Sequence, residues 1–199
     1  MIIDASKTST GESITADACI VGSGAAGVTL TLTLARAGQQ VVLLEAGGLK
    51  LTEASQDFFR GESVGNRNHP LDELRQRQLG GTTGSWGGRC IPFDPIDFEQ
   101  RDYIDNSGWP IEYNEVARYY PEALEWCHAG PAIFDAEQAG VPPLIPGFQD
   151  GDVKTSLLER WSLPTNFGKE YRDELEKHPN IRVFINAPCT DIILDNKHQ

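Results

Sequence analysis

Basic residues are scarce in this sequence. Its 199 residues carry 17 Lys and Arg against 29 Asp and Glu, a formal net charge of -12. Such a surface repels phosphate backbones and anionic membrane surfaces, so nucleic acid is not an expected partner. Long apolar runs are missing too, for no window approaches the ~20 consecutive apolar residues of a membrane helix. The polar start MIIDASKTSTGESITAD lacks the basic region and apolar core of a signal peptide. These absences lead us to expect a soluble, cytoplasmic protein without membrane insertion. Cysteine is sparse: Cys19, Cys90, Cys127 and Cys189 lie far apart, with no CxxC pair and no metal-ligand spacing. That fits buried, reduced thiols and no metal site. Internal repeats and low-complexity segments are also lacking.

What is present is concentrated in two glycine-rich stretches. The first is DACIVGSGAAGVTLTLTLARAGQQVVLLEAGG, from Asp17 to Gly48. A short apolar strand, Ala18 to Val21, leads into Gly22, Gly24 and Gly27 in the spacing GxGxxG. A helix should follow, with Gly27, Thr31, Leu34, Ala35 and Gly38 recurring on one mostly small face that can lie close to a sheet. Gly38 is placed to stop it. Val41 to Leu44 is the uninterrupted apolar run of a parallel strand covered on both faces. This is a βαβ unit with a right-handed crossover.

The glycines say what such a unit would hold. Gly22 permits a tight turn, Gly24 lets a diphosphate approach the backbone, and Gly27 brings helix and strand together. With Ala25 and Ala26 they open a helix N-terminus whose N–H groups and partial positive charge suit an anion. Glu45 closes the second strand, followed by Ala46, where a carboxylate can accept hydrogen bonds from adenosine ribose hydroxyls and repel a 2′-phosphate. The order strand, turn, helix, acid predicts dinucleotide binding. By itself it leaves NAD and FAD both open.

The second stretch, RQLGGTTGSWGGRC from Arg77 to Cys90, wraps five glycines around one tryptophan. So much bare backbone implies left-handed conformations or close approach to another group. A glycine-rich surface turn shielding the tryptophan is the alternative. Together with EAGG, the blocks DFEQR, GWPI and EVARYYPEALE, and YRDELEKHPNIRVFINAPCTDI near the end, this loop resembles the glucose-methanol-choline (GMC) oxidoreductases, a family of FAD-dependent enzymes. The resemblance covers most of positions 17 to 195 and keeps the family's order. It implies that Gly80, Gly81, Thr82, Ser85, Trp86 and Gly87 lie against the diphosphate and isoalloxazine of FAD, and that the backbone at or near Cys189 holds the adenine edge. A tryptophan at 86 looks more like the pyranose oxidase and bacterial sugar dehydrogenase branch, which makes an alcohol, sugar or polyol the expected substrate. Several members of that branch anchor FAD through a histidine just before this tryptophan. Ser85 stands there, so the flavin is expected to be non-covalent.

The expected fold is α/β: a Rossmann-like FAD/NAD(P)-binding domain with a parallel sheet, incomplete, carrying an inserted irregular or helical cap. Residues 1–96 would begin the FAD-binding domain. Residues 97–150, rich in aromatics and proline, would cover it or start a substrate part, with Pro121 interrupting the helical pattern near Tyr119 and Tyr120. Residues 151–199 would return to it, with a helix from Tyr171 to Lys177 and a further strand from Ile181 to Ile185. The family supplies a histidine base from near the end of a much longer chain. None of His69, His128, His178 and His198 lies in a matching motif, so no catalytic residue is assigned, and a further C-terminal segment or partner chain is expected. A flavin or nucleotide binding module without its own catalysis, and an NAD-dependent dehydrogenase fragment, stay as alternatives. The electron acceptor is not readable.

Overall fold

The computed structural model describes residues 1–194 other than 10, 63, 66–68, 149–150 and 152. His198 is outside the described residues. The chain divides into two compact units, Met1–Trp86 with Asn166–Gln199, and Gly87–Thr165. In chain order the first unit contributes β1 (Ile2–Asp4), β2 (Ala18–Val21), α1 (Ala25–Arg36), β3 (Val41–Leu44), α2 (Glu53–Asp57) and α3 (Leu71–Leu74). The second follows with β4 (Arg89–Cys90), α4 (Tyr113–Ala117), α5 (Tyr120–Trp126) and β5 (Arg160–Trp161). The chain then returns to the first with α6 (Phe167–Glu170), α7 (Arg172–Lys177) and β6 (Ile181–Ile185).

The first unit is an open α/β sheet of four strands in the order β1-β6-β3-β2, every neighbouring pair parallel. The two central strands are the buried ones. Val41, Val42 and Leu43 of β3 and Ile181, Val183, Phe184 and Ile185 of β6 are buried, as a strand covered on both faces requires. Burying a side chain such as Leu43 contributes about 1.5 to 3 kcal/mol. Three strands stand where periodicity put them. β1 was not anticipated, because two isoleucines in a polar leader carry no period; its partner lies at the other end of the chain, with Ile2 opposite Val183.

α1 forms as expected, and its stop works through Gly38, whose φ of +90° turns the chain so that the following N–H, of Gln39, donates to the Leu34 carbonyl at 3.1 Å. Its buried face differs from the expected one. Val28, Thr31, Leu32 and Ala35 are buried, while Leu34 is only half-buried and Gly38 is exposed. The cause is Gly27: a Cβ there would lie 1.8 Å from the Gly22 carbonyl oxygen. That contact turns Gly27 toward the preceding loop and rolls the larger residues onto the sheet. α7 sits beside α1, where Arg36 grips Glu174 through two hydrogen bonds of 2.8 Å each.

The second unit has a different construction. β4 and β5 form a two-residue antiparallel ribbon, flanked by the ion pair of Arg89 and Glu159. Phe93, Phe98, Trp109, Tyr113, Tyr120 and Phe134 follow one another in a chain of ring contacts with centroids 5.3 to 6.4 Å apart. The rings line the surface of this unit, with Phe93 and Trp109 exposed, while Leu124, Trp126, Ala129 and Ala136 form its buried core. Pro121 occupies the first turn of α5 and separates it from α4, since its ring is tolerated there and not inside a helix.

Candidate functional site

Because all four strands are parallel, their C-terminal ends lie along one edge, and ligands of open α/β sheets bind outside that edge. The backbone stitches it together. The N–H of Gly22 donates to the Leu44 carbonyl at 2.7 Å, Glu45 to Phe184 at 2.8 Å, Asn186 to Gly47 at 2.8 Å and Ala187 to Glu45 at 2.9 Å. Asn186, held at φ +54°, also donates its side-chain amide to Asp4 Oδ1 at 2.9 Å. Asn186 and then Ser6, both hydrogen-bonded to Asp4, hold its carboxyl down to about 2.

The second glycine stretch comes to the same edge. Gly80 donates its N–H to the Ser23 carbonyl at 3.0 Å, and a Cβ on Gly81 would meet Gly24 Cα at 3.3 Å. Gly80 has φ +87°, and a Cβ on it would lie 2.3 Å from the Gly168 nitrogen. Two of the loop's glycines thus serve contact between protein backbones. The structure brings Gly22, Gly24, Ala25, Ala26, Gly27, Glu45, Ala46, Gly80 and Gly81 together. Thr82 and Ser85 follow in an exposed turn and Trp86 is half-buried. Gly87 is the first residue of the second unit. Cys189 is exposed, shortly after β6.

Glu45 is buried, and its carboxylate is held by three donors. Ser23 gives its N–H at 3.0 Å and its hydroxyl at 2.5 Å to Oε2, and Gly47 gives its N–H at 2.8 Å to Oε1. A carboxylate offers about four acceptor positions. About one remains, which suits one ribose hydroxyl and not two. Ser23, fully buried, is a residue the sequence reading passed over, as is Thr83. Thr83 donates to the Gly80 carbonyl at 2.5 Å and accepts the Phe167 N–H at 3.1 Å, pinning the glycine loop to α6. Both sit at variable places of their motifs, so only the fold shows their partners.

Gly24 differs from its neighbours. Gly22 needs its left-handed φ of +94° and Gly27 needs its missing Cβ. Gly24 has φ -66° and ψ -175°, open to any residue, and a Cβ there would meet nothing within 4 Å. The space above it is clear, at the N-cap of the 12-residue α1, which has no side-chain cap. Uncapped first-turn N–H groups beside open space are chemically suited to an anion, and a side chain at this position would enter that space.

No protein-family model matches this chain. It is 30% identical over 121 residues to 6'''-hydroxyparomomycin C oxidase of Streptomyces lividus, covering 55% of this chain and 22% of the relative. It is 26% identical over 127 residues to 2-methyl-1,2-propanediol dehydrogenase of Mycolicibacterium austroafricanum, covering 53% and 23%. With paromamine 6'-oxidase of Streptomyces fradiae it shares 27% over 116 residues, covering 52% and 21%. These relatives are named as oxidoreductases. The chain spans about a fifth of the length of each. A solved structure of a fungal aryl-alcohol oxidase overlaps 86% of this chain and 38% of its own, with 13% identity and a TM-score of 0.47.

Among the described residues of the first unit, His178 lies away from the glycine edge. His178 caps α7 and accepts the Asn180 N–H at 3.3 Å, just before β6, at the opposite end of the strands from Gly22 and Glu45. His69 is exposed, and so is His128, in the second unit. Among the described residues no group of three or more His, Cys, Asp or Glu could hold a metal ion. No described helix is long and apolar enough to cross a membrane.

Proposed function

We propose that this chain forms the FAD-binding part of a GMC-type oxidoreductase that oxidises a CH–OH group of an alcohol, sugar or polyol. The observation that carries it is the empty space over Gly24, for which the protein's own packing gives no reason. First-turn amides of Ala25, Ala26 and Gly27 would hold the diphosphate, and Glu45, aimed by Ser23, would take a ribose hydroxyl. The backbone around Ala46 and Cys189 would border the adenine. Gly80, Gly81, Thr82, Ser85 and Trp86 would face the flavin, held without a covalent bond. FAD, when bound, would supply the acceptor for the alcohol's hydride, which carries the two electrons of the oxidation. The second unit would begin the substrate part. Relatives named for a diol and for paromomycin- and paromamine-type compounds support CH–OH oxidation. The nearness of Gly80 and Gly81 to the turn favours FAD over NAD.

Gly24→Val tests the reading. Its backbone angles and the open space allow the valine, so circular dichroism should not change. FAD affinity in a fluorescence titration should fall at least about tenfold, or ~1.4 kcal/mol. Acid precipitation of the FAD-loaded parent should leave the yellow colour in the supernatant. Equal FAD affinity for the folded variant and the parent, or tighter binding of NAD than of FAD by the parent, would refute the assignment.

A further inference from the structure

The expectation of four buried thiols fails, for Cys19 and Cys189 are exposed and Cys90 and Cys127 half-buried. Among the described residues β2 is an edge strand, and the second unit has only a two-residue ribbon to cover Cys90. A polar group that the backbone does enclose is the side-chain amide of Gln56, on α2 of the first unit. Gln56 is half-buried, and its Nε2 donates to the Asp72 and Arg75 carbonyls at 2.6 Å each. Both carbonyls lie at the C-terminal end of α3, where a helix has no partners of its own to offer. Its Oε1 accepts the Arg77 N–H at 2.9 Å, so both amide hydrogens and one acceptor position are engaged. The neighbours of Gln56 grip the same residue. Ser55 donates its hydroxyl to the Arg77 carbonyl at 2.9 Å, and the Arg77 guanidinium lies over the Phe58 ring, 4.3 Å from its centroid. Arg77 is thus held at its N–H, its carbonyl and its side chain, three residues before Gly80.

From Arg77 the hold passes into the second glycine stretch. A Cβ on Gly47 would collide with the Arg77 carbonyl oxygen, which lays this segment flat on the turn that follows Glu45. Gln78 pairs with Gly48 in a parallel bridge, and Leu79 donates its N–H to the Gly48 carbonyl at 2.9 Å. Gln76 donates its N–H to Thr82 Oγ1 at 3.3 Å. The Gln78 amide donates to Gln76 Oε1 at 2.7 Å, and the two side chains fill the place that a Cβ on Gly84 would take. The Gly22 turn and Glu45 have a separate support, in hydrogen bonds with Leu44, Ser23 and Gly47.

We propose that Gln56 is a positioning residue for the flavin end of the cofactor: without touching FAD, its amide fixes Arg77 and so the register at which Gly80 to Trp86 meets the isoalloxazine. This rests on the FAD assignment above. ADP, which carries the diphosphate and adenosine but no flavin, separates the two ends of the site. Parent and Gln56→Leu are titrated with FAD and with ADP by calorimetry. FAD affinity should fall about tenfold in the variant, the size of one net hydrogen bond, while ADP affinity stays that of the parent. The visible circular dichroism of the flavin at saturation should change as well. Ser55→Ala removes only the bond to the Arg77 carbonyl and should show the same split to a smaller degree, which decides the matter if Gln56→Leu does not fold. An equal loss of FAD and ADP affinity, or unchanged FAD affinity in the folded variants, would overturn the proposal and leave the FAD assignment standing. A parent that binds neither FAD nor ADP would overturn that assignment itself.

Discussion

Thr31 shows at residue scale how a periodic pattern can place a side chain and miss its cost. Its position on the sheet-facing side of α1 followed from the spacing of small residues. Its hydroxyl is fully buried and has no hydrogen-bond partner, and such a group costs about 1 to 3 kcal/mol of desolvation. Thr31→Val keeps the shape and the branching at Cβ while removing the hydroxyl. It should leave stability unchanged or raise it by about 1 kcal/mol in urea unfolding. A loss of more than that would mean that the hydroxyl has a partner. Glu45 offers the converse lesson. The end of an apolar strand marked it as the acid, but its capacity for a ligand depends on Ser23, whose role no local pattern announces.

Among elements, β1 is tied to the sheet by the bond from Asn186 to Asp4 as well as by its ladder. Asp4 titrates near 2 in the fold, against an ordinary value of 3.8. A depressed carboxyl contributes stability that is fully present above its unfolded value and is lost as pH falls through the folded one. Asp4→Asn mimics the protonated side chain, so its urea midpoint should lie below the parent's by a constant amount from neutral pH down to about 5. The difference should then shrink as the parent's Asp4 takes up its proton. A difference that stays constant into strong acid would show that the Asp4 charge does not stabilise the β1–β6 junction. α1 makes the related point about legibility: its limits were readable from Gly24 and Gly38, but its rotation was not. One contact between Gly27 and the Gly22 carbonyl settles that.

For the whole molecule, the strand that leads into the Gly22–Gly27 turn is an edge strand, because among the described residues β2 pairs only with β3. Val21 is 57% exposed and Cys19 is exposed beside it, and Ile192, Ile193 and Leu194 after β6 are exposed as well. A parallel edge with apolar side chains is a template for pairing with another chain. The protein should therefore associate as its concentration rises in sedimentation velocity, and Val21→Lys should shift it toward monomer without changing its circular dichroism. A parent that stays monomeric over the whole concentration range would show that this edge is not sticky.

From the sequence alone came the strand, turn, helix and acid of the βαβ unit, the strand from Ile181 to Ile185, and the break at Pro121. Each is encoded within a few residues, by the period of apolar positions or by the backbone limits of glycine and proline. Tertiary structure decided what depends on residues from distant parts of the chain. It brought β1 beside β6, laid Gly80 on Gly168 and clamped Glu45 with Ser23. It also joined two segments separated in the chain by residues 87–165 into one sheet unit. These choices rest on close contact between backbones and on single hydrogen bonds, and neither leaves a repeating mark in the sequence.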